Sequence, residues 1–201
     1  MDSLWSVSFL CSQMGNIELD RFPHQYMAVS GVDVDLILGS ALVDMYGKCR
    51  ELCIAQMCLD KMPARNVVSR TCLVCAYAKY GLVDLARSWF DRMLERSIVS
   101  WNAMISCYVR HGFYQQGIDL YTHMQNLRVP PDEATLVNVL SACSQTGNLV
   151  AGKKTNDYIC ENIVDPSITL LNSIVDMYSK CGYVDIALGN FNKMKKKNVI
   201  S

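Results

Sequence analysis

The chain has 201 residues, and its 19 lysines and arginines balance 19 aspartates and glutamates. This balance excludes bulk attraction to nucleic acid or an anionic membrane, so any polyanion binding has to come from local arrangement. Apolar residues make up 51% of the sequence, which excludes a disordered chain. No uninterrupted apolar run approaches the roughly 18 residues of a membrane span, so no membrane partner is expected.

One pattern recurs along the chain. Val67-Val68-Ser69 returns 31 residues later as Ile98-Val99-Ser100, and Asp44-Met45-Tyr46 returns 132 residues later as Asp176-Met177-Tyr178. A fixed period in the range of roughly 20 to 50 residues is typical of stacked-repeat proteins, which have no single central core. The spacing divides the chain into units 1–35, 36–66, 67–97, 98–132, 133–167 and 168–198, and residues 199–201 open a further unit.

Each unit is predicted to form two α-helices joined by a tight turn. In unit 67–97 the apolar residues follow helical spacing on both sides of Gly81. They are Leu73, Ala76, Tyr77 and Tyr80, then Leu85, Ala86, Trp89, Phe90 and Met93. Glycine recurs at the turn, where a left-handed residue can end the first helix. The glycines are Gly15, Gly81, Gly112, Gly147 and Gly182, whereas Arg50 holds this place in unit 36–66 and predicts a looser or strained turn.

Small residues and prolines mark the second helices. A small side chain at one place would let the helices of a hairpin approach closely; the residues are Ala55, Ala86, Gly117, Gly152 and Ala187. Prolines just beyond the second helices would end them; these are Pro63, Pro130, Pro131 and Pro166. Pro23 instead lies inside the predicted second helix of the first unit, where it costs about 3 kcal/mol, so that helix should be kinked or start late.

The ten cysteines follow the repeat rather than a disulfide framework. Cys11 shares its repeat position with Cys143, and Cys49 with Cys181, which predicts reduced, buried thiols in a non-oxidising compartment. Cys72 and Cys75 form a CxxC pair inside a predicted helix. Because no second pair stands at zinc-finger spacing, we expect no metal site and no redox role.

Signs of catalysis are weak. None of the three histidines begins the HxE signature of a zinc deaminase, and the chain has no Gly-rich phosphate loop or nucleophile elbow. We therefore expect neither an enzyme nor a cofactor. The nearest approach to a basic patch is Lys193 with Lys195, Lys196 and Lys197, which fits a solvated helix end favoured by the macrodipole better than a binding site.

The unit boundaries carry a family resemblance. Asn66-Val67-Val68-Ser69, residues 97–105 (Ser-Ile-Val-Ser-Trp-Asn-Ala-Met-Ile) and Asn198-Val199-Ile200-Ser201 resemble the pentatricopeptide repeat family, specifically its plant subfamily of mixed standard, long and short repeats. Residues 42–49 and 174–181 resemble the short repeats of that subfamily. By this resemblance unit 98–132 is standard, units 1–35 and 133–167 are long, and the other three are short. It implies an all-α fold, a right-handed α-solenoid of stacked helix-turn-helix repeats.

The resemblance also implies binding of single-stranded RNA, one base per repeat. In the family the second residue of a repeat sandwiches the base, while the fifth and the last residues read its edge. Carried over, the sites are Ile37, Ser40 and Asn66; Val68, Thr71 and Ser97; Val99, Asn102 and Asp132; and Thr169, Asn172 and Asn198. The family pairings imply adenine for the first set, a weak purine preference for the second, uracil for the third and a pyrimidine for the fourth.

Trp5 and Val137 hold the fifth place in the long units and offer no specific hydrogen bond to a base. At the other fifth places we expect small polar groups exposed along a continuous groove of first helices. The alternative for Asn102 or Asn172 alone is an ordinary helix cap. For the whole chain, the alternative to RNA reading is a helical scaffold whose groove takes a peptide or a partner helix.

The resemblance finally suggests the recognition part of an RNA editing or processing factor in a mitochondrion or chloroplast. Editing cofactors or a deaminase acting in trans are then expected partners. The chain begins inside a repeat without an Arg-rich leader and stops three residues into another, so we expect it to be a fragment.

Overall fold

The computed structural model describes residues 35–193, and all regular structure in that range is α-helical. Its ten helices are α1 Leu36–Lys48, α2 Leu52–Lys61, α3 Val67–Lys79, α4 Val83–Asp91, α5 Ile98–Arg110, α6 Tyr114–Asn126, α7 Glu133–Thr146, α8 Leu149–Asn162, α9 Ile168–Lys180 and α10 Val184–Lys193. The all-α prediction is confirmed. The expectations for Trp5, Pro23, residues 195–197 and Asn198 lie outside the described residues.

The helices pack in two compact units, divided between Met104 and Ile105 within α5. In the first unit, α1 packs against α2 and α3, and α3 packs against α2 and α4. In the second, α7 packs against α6, α8 and α9, while α9 also contacts α8 and α10. Within each unit, successive first helices therefore lie side by side. Among the described helices none is long and apolar enough to cross a membrane.

The apolar stripes of α3 and α4 meet in the core of the first compact unit, the one that ends at Met104. Leu73 and Ala86 are fully buried there, as expected from their helical spacing. Phe90 extends the core to the next repeat, because its ring meets Trp101 edge-on with centroids 4.9 Å apart. Burial of each such large side chain contributes about 1.5–3 kcal/mol. Leu85, which was predicted on this stripe, lies at its edge and is 47% exposed.

The turns between paired helices differ at one place. Gly81 ends α3 with a φ of 73°, and the Leu82 N–H then donates to Tyr77 O at 3.0 Å. Arg50 takes the same conformation with a φ of 67°, and the Glu51 N–H donates to Tyr46 O at 2.9 Å. A left-handed conformation costs an L-residue about 1–2 kcal/mol. The predicted strain at Arg50 is confirmed, while its hydrogen bonds match those at glycine.

Small residues allow close approach, but to two different neighbours. A Cβ on Gly117 of α6 would lie 3.2 Å from Cγ2 of Val109, in the other helix of its own hairpin. A Cβ on Gly152 of α8 would instead collide with Met177 of α9, in the following repeat. The predicted close approach within a hairpin therefore holds at Gly117. At Gly152 the small residue makes room for the next repeat.

Candidate nucleic-acid interface

The last residue of a unit caps the first helix of the next unit. Asn66 Oδ1 accepts from Ser69 N–H at 2.9 Å, Ser97 Oγ from Ser100 N–H at 3.2 Å, and Asp132 Oδ1 from Thr135 N–H at 2.9 Å. Such bonds satisfy amides that the helix itself leaves unpaired. The same bond is made by Asp35 and Ser167.

The positions of these caps exclude the alternative that Asn102 or Asn172, the fifth residue of its repeat, is the helix cap. Asn102 and Asn172 lie one turn inside α5 and α9, where the helix already uses the backbone amides. The capping role belongs to the last place in each unit. A side chain proposed there for base reading must therefore also be a good N-cap, which favours Asn, Asp and Ser.

Sequence reasoning missed the hydroxyl that lies three residues after the caps Asn66, Ser97 and Asp132. Ser69, Ser100 and Thr135 are fully buried. Ser69 Oγ accepts from the Asn66 N–H at 3.2 Å and so completes a capping box. Ser100 Oγ donates to Ser97 O at 2.8 Å. The signal was present in the sequence, because a hydroxyl three residues after a cap is the mark of a reciprocal cap.

The second residues of the repeats that begin at residues 36, 67 and 98 are exposed apolar side chains. Ile37 is 62% exposed, Val68 57% and Val99 59%, each one residue into its helix. A single exposed aliphatic side chain is ordinary. Three at one repeat position supply apolar faces at the starts of α1, α3 and α5, where flat rings can pack. Thr169, the second residue of repeat 168–198, is exposed too.

The fifth residues divide into two classes. Ser40 is 8% exposed and Thr71 7% exposed, so the expectation of exposed polar groups is wrong for both. Their hydroxyls are short and bond within the protein, Ser40 Oγ to Leu36 O at 2.7 Å and Thr71 Oγ1 to Ser97 Oγ at 3.1 Å. Asn102 and Asn172 are half-buried and remain partly accessible.

The last-place residues are more open. Asn66 and Ser97 are half-buried, and Asp132 is exposed. The cap uses Oδ1 of Asn66, and Nδ2 of Asn66 has no protein acceptor within residues 35–193. Asn66 therefore combines a fixed orientation, set by its cap, with an amide that can donate to a ligand.

Beside Asn66 lies an open pocket of about 340 Å³. Its walls come from the start of α3, the segment before it and the segment after α4. The lining residues are Arg65, Asn66, Val67, Val68, Arg70, Leu94 and Glu95. Two of them, Asn66 and Val68, are candidate RNA-binding residues, so this pocket adjoins the candidate interface.

The CxxC pair lies on α3, where both cysteines are half-buried. Desolvation, aided by the charge of Asp44, raises the pKa of Cys72 to about 12 and that of Cys75 to about 11. The thiolate is the nucleophile and the metal ligand, so the raised pKa values keep both thiols in the less reactive protonated form at neutral pH. Within residues 35–193, no three His, Cys, Asp or Glu side chains are grouped to hold a metal ion.

Models of known families and sequences of known proteins match this chain. The model of the PPR repeat family matches residues 96–145, and that of the PPR repeat matches residues 68–98 and 169–199. A mitochondrial pentatricopeptide repeat-containing protein of Arabidopsis thaliana is 43% identical over 191 residues, which are 95% of this chain and 28% of the relative. Another from the same plant is 44% identical over 191 residues, with 95% and 36% covered. The chain thus spans about a third or less of these relatives.

Solved structures agree on the fold. The crystal structure of the pentatricopeptide repeat protein PPR10 from maize superposes with a TM-score of 0.73 at 15% identity, covering 96% of this chain and 29% of the other. PPR10 in complex with an 18-nt psaJ RNA element gives 0.67 at 21% identity, covering 98% and 29%. These likenesses confirm the predicted fold class, an all-α solenoid of helical hairpins.

Proposed function

Because the chain belongs to the pentatricopeptide repeat family, we propose that it is a recognition module for single-stranded RNA in which each repeat contacts one base. The observation that carries this proposal is the recurrence of an exposed β-branched side chain two residues after a polar helix cap. Ile37 follows Asp35 in this way, and Val68 follows Asn66. A base packed on the aliphatic face would have its edge beside the cap's polar group.

The proposed recognition differs between repeats. Asn102 with Asp132 offers an amide and a carboxylate and is assigned to uracil, and Asn172 with Asn198 to a pyrimidine. For adenine at Ser40 and Asn66, the Asn66 amide is the main donor, because the Ser40 hydroxyl already bonds to Leu36 O. Selection at Thr71 with Ser97 is the weakest, because these two hydroxyls bond to each other.

The proposal includes a setting for the parent protein. One similar protein is named as mitochondrial, which supports a mitochondrial or chloroplast location. In that setting the chain would direct RNA editing or processing, with the chemistry supplied by editing cofactors or a deaminase in trans. The chain itself is proposed to bind and not to catalyse, which is supported by the raised pKa values that keep the half-buried cysteines of α3 protonated at neutral pH.

One observation favours a second function. The burial of Ser40 and Thr71 removes two of the four readers from direct access, as expected of a scaffold that binds a peptide or partner helix. Such a scaffold would depend on the exposed apolar residues Ile37, Val68 and Val99, and not on the base-edge residues.

Titration of the 201-residue chain with short unstructured RNA oligomers separates the two functions. RNA reading requires an affinity that falls with salt, by a slope of about 0.7 per phosphate contact. It also requires that Asn102→Ala lower the affinity for one base more than for the others. Gln116→Ala, which removes an exposed amide from the second helix α6, serves as the matched control and should change nothing. Salt-independent binding, or equal effects of both variants, would support the scaffold.

A further inference from the structure

Arg70 is an arginine at a packing position. It is the fourth residue of its unit, and the other described units have Gly39, Trp101, Leu136 and Leu171 in that place. Trp101 and Leu136 are at most 1% exposed, so the position normally belongs to the core. Arg70 itself is half-buried, and its guanidinium makes an exposed hydrogen bond instead of entering the core.

In the next repeat, Trp101 holds the position that corresponds to Arg70. There the Trp101 ring packs against Phe90, and the guanidinium of Arg96 lies 4.7 Å from the Phe90 ring centroid and 5.8 Å from that of Trp101. One period earlier the corresponding residues are Leu59, Arg65 and Arg70. Arg96 Nε donates to Phe90 O at 3.1 Å and Arg65 Nε to Leu59 O at 2.9 Å, so these two arginines are held alike.

Arg70 does not take the place of the indole. Its Nη1 donates to Arg92 O at 3.3 Å, at the end of α4 in its own hairpin. Trp101, in contrast, contacts the second helix of the preceding hairpin. Arg65 and Arg70 both line the pocket of about 340 Å³ described above.

The residues that line the pocket favour an anion. They include two guanidinium groups and one carboxylate, that of Glu95, while Arg65 Nη2 also lies 3.7 Å from Oδ1 of Asp60, which does not line the pocket. The first turn of α3 also lines the pocket, and a helix N-terminus favours negative charge. Each guanidinium has five N–H donors, so the bonds to Leu59 O, Asp60 O and Arg92 O orient both groups and leave further donors for a ligand. In a chain of zero net charge, this local arrangement stands out.

We propose that this pocket binds a phosphodiester of the RNA strand, next to the nucleotide that stacks on Val68. This inference rests on the proposed RNA-binding function and adds a backbone contact at the repeat that carries Arg70. Arginine pairs recognise phosphate oxygens through parallel N–H bonds. A phosphate contact fixes the register of the strand without reading its sequence. It thereby compensates for the weak base selection of Thr71 and Ser97 in the same repeat.

The test measures binding of the 201-residue chain to oligouridine and oligoadenosine over a series of salt concentrations. Arg70→Leu, which installs the residue of two other repeats, should weaken binding to both oligomers alike, by about fivefold at low salt. It should also lower the salt slope by about 0.7. Glu95→Gln should have the opposite effect and tighten binding. Lys79→Gln removes a positive charge from the far end of α3 and should leave the slope unchanged.

The outcomes separate this inference from the proposed function. If Asn102→Ala alters base preference while Arg70→Leu keeps the wild-type slope, the pocket assignment is wrong and RNA reading stands. An effect of Arg70→Leu on one oligomer only would mean base contact, and it would also overturn the phosphate assignment. If the folded chain binds no RNA, both proposals fail. Circular dichroism of Arg70→Leu confirms that the variant is folded.

Discussion

Thr71 Oγ1 and Ser97 Oγ lie 3.1 Å apart and share a hydrogen bond, although 26 residues separate them in sequence. They are the fifth and the last residues of one repeat. Ser97 Oγ also accepts the Ser100 N–H that it caps. Both hydroxyls are thus engaged within the protein, and a base at this repeat would have to compete with bonds that already exist.

Replacing this pair should create base selection. Thr71→Asn combined with Ser97→Asp copies the residues of the next repeat, Asn102 and Asp132, and keeps a good N-cap. We expect the double variant to gain about tenfold selectivity for uracil at the base facing this repeat, or about 1.4 kcal/mol. The measurement is the affinity for RNA oligomers that differ at that base alone. The reciprocal variant, Asn102→Thr with Asp132→Ser, is the control and should lose selectivity at its own base.

Asn66 should separate capping from base reading. Asn66→Ala removes the capping box and should lower the free energy of unfolding by about 1 kcal/mol. Asn66→Asp retains an acceptor for the Ser69 N–H and should keep that stability. It also replaces the amide donor by a carboxylate, so it should weaken the preference for adenine. Urea unfolding and RNA titration of both variants check this, and a parallel loss in both assays for Asn66→Asp would contradict the division of roles.

The hairpins could be predicted from the sequence because their signals are local. Apolar spacing and a left-handed glycine such as Gly81 depend on a few neighbouring residues. Burial of the fifth residues could not be predicted. Ser40 and Asn172 both follow a helix start by one turn, yet Ser40 is buried and Asn172 is half-buried, and this difference depends on tertiary packing that helical spacing does not show. The capping role of Asn66, in contrast, was readable from Ser69 three residues later.

Two helical glycines should respond in opposite ways to alanine. A Cβ on Gly47 of α1 would lie 2.8 Å from the Cβ of Ala76 in α3, whereas a Cβ on Gly189 of α10 has no atom within 4 Å among the described residues. Alanine favours a helix by about 1 kcal/mol over glycine. Gly189→Ala should therefore stabilise the protein by up to that amount. Gly47→Ala should destabilise it, because overpacking costs about 1–3 kcal/mol. Thermal unfolding of the two variants checks the contrast in sign.

The turn at Arg50 should be improved by glycine. Its left-handed backbone costs about 1–2 kcal/mol that Arg50→Gly would relieve. The side chain lies 5.7 Å from the centroid of the Tyr80 ring, a contact that contributes about 0.5 kcal/mol and would be lost. A net gain of about 1 kcal/mol in the free energy of unfolding is expected from urea titration. Gly81→Arg is the matched control at the next turn and should lose a similar amount. A destabilised Arg50→Gly variant would show that the ring contact outweighs the strain.

The half-buried thiols of α3 should make the stability of the protein fall in alkali. Cys72 and Cys75 have their pKa raised from 9.0 to about 12 and about 11, chiefly by desolvation. In the unfolded chain they would ionise near the ordinary value. Between pH 9 and the raised values the folded state therefore binds more protons than the unfolded state, so the free energy of unfolding decreases as pH rises.

Below pH 9 both states hold their protons and this contribution is present in full. Replacing both cysteines by alanine should lessen the alkaline decrease in the free energy of unfolding, measured by urea titration at several pH values. Cys53→Ala, at an exposed cysteine in α2, should leave the decrease unchanged. Alkylation gives an independent check, because iodoacetamide reacts with thiolates. At pH 8 it should modify Cys53 and leave Cys72 and Cys75 unmodified until the chain unfolds. Early modification of Cys72 in the folded protein would show that its thiol is not desolvated.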